Sequence, residues 1–153
     1  MVAGNFLAID VGQARVGVAR SVAGTSLALP VETLQVRPDG SELDELVDII
    51  TESDPQAVFV GLPKLMSGKE GEAARMARSY ARRLVRRLDT LPVHLIDERL
   101  SSADAHSKLR EAGVSSRRQK EMVDQLAAVT ILTRALETLT QTGNLPGELV
   151  IIE

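Results

Sequence analysis

Three acids stand at the ends of hydrophobic runs: Asp10 in Ile9-Asp10-Val11-Gly12, Glu98 in Ile96-Asp97-Glu98-Arg99, and Asp124 in Val123-Asp124-Gln125-Leu126-Ala127-Ala128. A carboxylate is costly to desolvate without a partner. Three of them gathered in one place repel, so that at least one keeps its proton unless a cation sits among them. An oxygen-only donor set suits a hard ion, Mg²⁺ or Mn²⁺, rather than zinc. Two such ions can hold an attacking water and a leaving oxygen in line across a phosphodiester, which removes the need for a side-chain nucleophile. Taken singly, each acid reads as a turn or cap residue; the set reads as a metal site.

Cations stand close to these acids in the chain. Arg15 lies in the turn after Asp10, Lys64 follows the run Ala57-Val58-Phe59-Val60-Gly61, and Arg99 is next to Glu98. All three could rim a carboxylate crevice and bind phosphates beside a scissile one; Arg99 could equally pair with Asp97 and hold its loop. Arg117, Arg118 and Lys120 precede Asp124 and are candidate substrate contacts of the same kind. Arg75, Arg78, Arg82 and Arg86, with Arg83 and Arg87 beside them, recur at steps of three or four. That stripe reads either as a track for a nucleic-acid backbone or as a solvated helix face. His94 and His106 have no partner at ligand spacing and read as structural. Asp97 alternates with Glu98 and is expected to point away from it.

The elements that must position these residues follow from periodicity. Asn5 to Val11 reads as a buried strand, Val16 to Ser21 as its hairpin partner across Gly12-Gln13-Ala14-Arg15, and Leu29 to Leu34 as a third antiparallel strand. Asp39-Gly40-Ser41-Glu42 offers capping chemistry for a helix carrying Leu43, Leu46, Val47, Ile49 and Ile50 on one face. The apolar run ending at Gly61-Leu62-Pro63 has the character of a central parallel strand. A helix over Glu72 to Asp89, a fifth strand opening after Pro92, a short helix from about Ser102 to Ala112 stopped by Gly113, and a long helix from about Glu121 to Thr140 complete the order. Ser115 to Lys120 reads as a polar, basic loop, and the tail from Gly143 as either an edge strand or a surface segment. The expected architecture is an α/β domain over residues 1–142, a mixed five-stranded sheet of three antiparallel strands followed by parallel crossovers and flanked by helices, with a tail over 143–153. Reactive groups in such sheets lie beyond the carboxyl ends of the parallel strands. The small Ala127 and Ala128, one turn after Asp124, would let that helix approach the sheet closely.

At 153 residues the chain suits one domain, and 44 % hydrophobic with 25 % charged residues is ordinary for a globular protein. The absence of cysteine excludes disulfides, thiolate nucleophiles and cysteine-bound zinc, which makes the cytoplasm the default location. No basic leader precedes the first apolar run and no run approaches a spanning length, so neither a signal peptide nor a membrane partner is expected. A net charge of −3 argues against indiscriminate nucleic-acid binding, and with aromatics at 2 % a platform for stacking single-stranded bases is not expected. Any nucleic acid would be held mainly by its backbone and shape.

Four ordered motifs carry a resemblance: Asp10-Val-Gly-x-x-Arg15-Val-Gly-Val-Ala, Gly61-Leu-Pro-x-x-x-x-Gly68, Asp97-Glu-Arg-Leu-Ser-Ser102 and Val123-Asp-Gln-Leu-Ala-Ala128. Over about Phe6 to Ala135 the chain resembles the YqgF family, also called RuvX. The resemblance implies an RNase H-like fold, kinship with Holliday-junction resolvases, and a nuclease acting in maturation of the small-subunit ribosomal RNA precursor. It also implies that Asp10, Glu98 and Asp124 are metal ligands. Ser67 stands where many members have Asp, and Ser102 where many have Thr. Related resolvases carry an acid after the fourth strand, where this chain has Gly61-Leu62-Pro63, so Glu98 would substitute for it.

The leading reading is thus a Mg²⁺- or Mn²⁺-dependent endonuclease acting on structured RNA, such as the 5′ end of the 16S precursor, or on branched DNA, with a homodimer possible by analogy to resolvases. Two alternatives differ in class. One is an actin-like ATPase, whose phosphate loop also opens Asp-x-Gly but generally continues with Thr or Ser where this chain has Gln13, and which generally needs a second domain. The other is a weakly active, RNA-binding ribosome-assembly factor.

Overall fold

A computed structural model describes residues 4–98 and 116–152, with the side chains of 116–124 outside that description. In chain order it contains β1 (Phe6–Val11), β2 (Arg15–Ser21), β3 (Ala28–Gln35), α1 (Glu42–Ser53), β4 (Ala57–Pro63), α2 (Glu72–Arg87), β5 (Val93–Glu98), α3 (Ser116–Thr142) and β6 (Glu148–Leu149). The strands form one sheet in the order β3-β2-β1-β4-β5-β6. β1, β2 and β3 make an antiparallel meander, whereas β4 lies parallel to both β1 and β5.

Each strand buries alternate side chains on opposite faces, as the period of two requires. One face of the sheet, with Leu7, Ile9, Val58, Val60 and Leu95, packs against Leu46 and Ile50 of α1 and Ala77 and Leu84 of α2. The other, with Phe6, Ala8, Phe59 and Ile96, packs against Ala128, Ile131, Leu132, Ala135 and Leu136 of α3. Those five α3 residues recur at steps of three and four, the spacing of one helical face. Two separate cores on one sheet explain why β1 and β4 are apolar almost throughout.

Two expectations are corrected. The sheet has six strands rather than five, because Glu148 and Leu149 pair antiparallel with Leu95 and His94 and cover what would be the open edge of β5. Several contacts seat this strap. Val150 donates its N–H to the Val93 carbonyl at 2.9 Å. Gly147 runs so close to the Leu95 carbonyl that no side chain would fit. Glu148 accepts from Arg78 at 2.6 Å. His94 is hydrogen-bonded to the Pro146 carbonyl and buried enough that its pKa is lowered, so it is a neutral structural residue.

The second correction is the start of the last helix. Residues 116–120, read as a loop from their polarity, already belong to α3. Arg117, Arg118, Gln119 and Lys120 are all good helix formers, and their polarity disfavours burial rather than helix. α2 ends at Arg87, two residues short of the expected Asp89. The short helix expected over about Ser102 to Ala112, its stop at Gly113, and His106 lie outside the described residues. Among the described residues no helix is long and apolar enough to cross a membrane.

Candidate functional site

Asp10 and Glu98 both extend the row of side chains that faces α3, since each keeps the alternation of Ala8 and Ile96 respectively. They sit near the carboxyl ends of β1 and β5, as expected, but those strands are not neighbours. β4 runs between them. Two acids separated by a strand could share a crevice only if the intervening side chain were small, and the residue there is Gly61, paired with Ile96 of β5. A Cβ at Gly61 would lie 2.9 Å from Glu98 Oε2 and 2.5 Å from Ile131 Cδ1. The space where a β4 side chain would stand is thus shared by the Glu98 carboxylate and the underside of α3. On its other flank Asp10 pairs with Gly17 of β2, which again presents no side chain.

The electrostatics follow from this packing. Burial, reinforced by the neighbouring Asp10 carboxylate and partly offset by the Arg134 guanidinium, raises the Glu98 pKa from its ordinary 4.5 to about 7. Glu98 is thereby a desolvated carboxyl beside a second acid, with a cation on α3 within electrostatic reach. Arg134 escaped the sequence reading. It is exposed and stands on α3 one turn after Ile131, and nothing in its spacing separates it from a solvated face.

Asp124 lies about two turns inside α3 and one turn before the buried Ala128, so its backbone is placed on the helix that covers the site. Its side chain, and those of Arg117, Arg118 and Lys120, lie outside the described residues, as does all of Arg99. Gln125, the next residue, donates from Nε2 to Thr33 Oγ1 at 3.0 Å, and Thr33 pairs with Gly17, which pairs with Asp10. This bond ties the segment of α3 that carries Asp124 to the strand row that carries Asp10. Among the described residues no cluster of three or more potential metal ligands forms.

The remaining candidates divide. Arg15 opens β2 at the same end of the sheet, and its carbonyl accepts the Gly12 N–H at 2.9 Å to close the hairpin turn. Lys64 donates its backbone N–H to the Glu98 carbonyl at 3.0 Å, while its ammonium lies 3.7 Å from Asp97 Oδ2. Asp97 therefore does point away from the crevice, with the Lys64 ammonium beside it among the described residues. Three of the six α2 arginines are committed to structure, while Arg75, Arg82 and Arg86 are exposed. Arg78 makes bidentate bonds to Glu70 and contacts Glu148, Arg87 pairs with Asp44 at 2.9 Å, and Arg83 lies 4.7 Å over the Tyr80 ring.

The Gly61 cradle gives a direct test. Gly61→Ala should destabilise the protein by about 1–3 kcal/mol, as overpacking does, and should impair any activity that depends on Glu98, because either α3 or the carboxylate has to move. Unfolding and activity measured on one preparation check this; wild-type values for both would show that the cradle is not needed.

Comparison with known proteins bears on the family and the fold. The RuvX family model, described as Holliday junction resolvase, matches residues 4–138. A relative from Clavibacter michiganensis, named "Putative pre-16S rRNA nuclease", is 45 % identical over 148 residues, covering 96 % of this chain and 91 % of that one. One of the same name from Thermobifida fusca is 43 % identical over 152 residues, 94 % of each chain. Among solved structures, Thermus thermophilus RuvC in complex with a Holliday junction substrate aligns with a TM-score of 0.54 at 16 % identity, over 91 % of this chain and 97 % of that one. At that identity the likeness establishes the fold, which is RNase H-like. With the family model spanning most of the chain and close relatives spanning nearly all of it, the chain belongs to the RuvX family and is a phosphodiester-cleaving hydrolase.

Proposed function

We propose that this protein is a divalent-metal-dependent endonuclease that processes the 5′ end of the small-subunit ribosomal RNA precursor. The carrying observation is the half-buried Glu98 carboxylate, set in the space left by Gly61, with Asp10 close enough to raise its pKa. Two neighbouring acids, one of them partly desolvated, with oxygen donors only suit Mg²⁺ or Mn²⁺, so the residues fit the ion that the family implies. Asp10, Glu98 and Asp124 would hold it, and Ala128 leaves room for the helix backbone to come close. When bound, such an ion supplies Lewis-acid stabilisation of the charge that builds on the phosphoryl oxygens.

The chain's own residues bind and orient. Arg15 and Lys64, with Arg99, Arg117, Arg118 and Lys120, flank the acids in sequence or in the fold and would take the phosphates on either side of the cut. Arg134 offsets the negative charge at Glu98, which eases the approach of a polyanion to an acidic site. In this reading residues 1–142 form the nuclease domain and the tail over 143–153 supplies the strap that covers its β5 edge, and the protein would act in the cytoplasm, where ribosomal RNA is matured. The family description favours one second reading, cleavage of branched DNA by a symmetric dimer. Incubating a precursor ribosomal RNA and a four-way DNA junction with one preparation in Mg²⁺, beside an Asp10→Asn variant, tests both. Metal-dependent cleavage of neither, with retained RNA binding, would favour an assembly factor.

Salt dependence locates the substrate. Replacing Arg117, Arg118 and Lys120 by Ala should weaken binding and flatten the slope of log affinity against log salt by about 0.9 for each duplex phosphate that is no longer neutralised. Replacing Arg75, Arg82 and Arg86, which are exposed on α2 and leave the Arg78 ion pairs intact, should change the slope little. The reverse pattern would move the substrate to α2.

A further inference from the structure

The loop between β4 and α2 presents two large apolar side chains to solvent, Leu65 at 57 % and Met66 at 81 % exposure. It is a built loop. The Leu65 N–H donates to the Lys69 carbonyl at 2.9 Å, and the Gly68 N–H to the Leu65 carbonyl at 2.8 Å. Gly68 supplies the turn with a φ of +89°. The far end is fixed by Glu70, which accepts from Arg78 Nε at 2.6 Å and Nη2 at 2.7 Å while Arg78 also holds Glu148 of the strap. The near end is fixed by the Lys64 N–H on the Glu98 carbonyl at 3.0 Å. Two residues of chain beyond Lys64 span at most about 7 Å, so with the Lys64 N–H on the Glu98 carbonyl the loop begins at the strand end that carries Glu98.

A nuclease site also needs something to meet bases, and this chain's aromatic side chains are all spent inside. Phe6 and Phe59 stack on each other in the α3 core with ring centroids 5.8 Å apart, and Tyr80 is 3 % exposed under α2. Apolar side chains such as Leu and Met serve as wedges between base steps where a protein unstacks a nucleic acid, and a rigid loop loses little entropy in doing so. Lys69 follows the pair with a positive charge suited to a phosphate, while the Lys64 ammonium before it is held 3.7 Å from Asp97.

We propose that Leu65 and Met66 form an apolar wedge that unstacks bases beside the phosphodiester held at Asp10 and Glu98. This rests on the nuclease reading above. The test uses a four-way DNA junction and a stem-loop RNA, each carrying 2-aminopurine placed in turn at positions around the branch or the stem end, with affinity and fluorescence measured in Ca²⁺. Wild-type protein should raise the fluorescence at one position, reporting unstacking. Leu65→Ala with Met66→Ala should abolish that rise and weaken binding about ten-fold, whereas Met66→Leu should keep both. Because both side chains are exposed, the variant should unfold like wild type. Unchanged fluorescence and affinity in the double variant overturns the wedge and leaves the loop as a surface for another protein. Wild-type protein that binds neither substrate overturns the nuclease reading instead.

Discussion

Asp10→Asn and Glu98→Gln should each lower metal-dependent cleavage by about three orders of magnitude while leaving the fold intact. Both substitutions keep size and hydrogen-bonding shape and remove only charge, so the loss reports the ability to hold a cation. The double variant should be little worse than either single, because the acids act as one unit. Asp124→Asn should match them if its side chain joins the site from α3. Substrate binding should survive in each, since removing negative charge in front of a polyanion does not weaken its approach. Asp97→Asn is the internal control: one residue away, it faces the opposite side of the sheet and pairs with Lys64, so its loss should cost about ten-fold at most through the Lys64 ion pair. Single-turnover cleavage in Mg²⁺, repeated in Ca²⁺, measures all of these, and Ca²⁺ should support binding with little turnover. Wild-type rates in the Asp10, Glu98 and Asp124 variants would remove the metal site from the mechanism.

Sequence and structure meet most closely where periodicity and chemistry coincide. Asp10 and Glu98 were readable because an acid ending a buried run is costly, and the alternation of Ala8 with Asp10 and of Ile96 with Glu98 sets their face. Gly61 could not be valued the same way. A glycine in a strand gains its meaning only from its neighbours, and the facing Glu98 and Ile131 come from elements 37 and 70 positions away. The α2 arginines were readable as a stripe, yet their partners were not: Arg78 meets Glu148 across 70 residues through a strap whose pairing rests on two residues of strand. Arg134 looked like any exposed helix cation, and its proximity to Glu98 exists only once α3 is laid across the sheet.

The same packing predicts an unusual pH dependence of stability. In the unfolded chain Glu98 should lose its proton near its ordinary 4.5, whereas in the metal-free fold it holds it up to about 7. Between those values the native state binds more protons than the unfolded one, so this group's contribution to stability falls as pH rises and is spent above about 7. The full interval corresponds to at most about 3 kcal/mol. Glu98→Gln mimics the protonated acid at every pH. In the presence of a chelator it should therefore match wild type at pH 4.5 and exceed it at pH 8, by up to about 3 kcal/mol or roughly 6–10 °C in melting temperature for a chain of this size. Asp10→Asn should recover the smaller part of that gap, since Asp10 adds to the pKa shift less than burial does. Adding Mg²⁺ at pH 8 should stabilise wild type, by mass action on the native state, and leave the Glu98 variant nearly unmoved. Urea unfolding at both pH values, with and without the ion, decides it. A variant that is no more stable than wild type at pH 8 would mean that Glu98 is solvated there, and that the Gly61 space does not bury it.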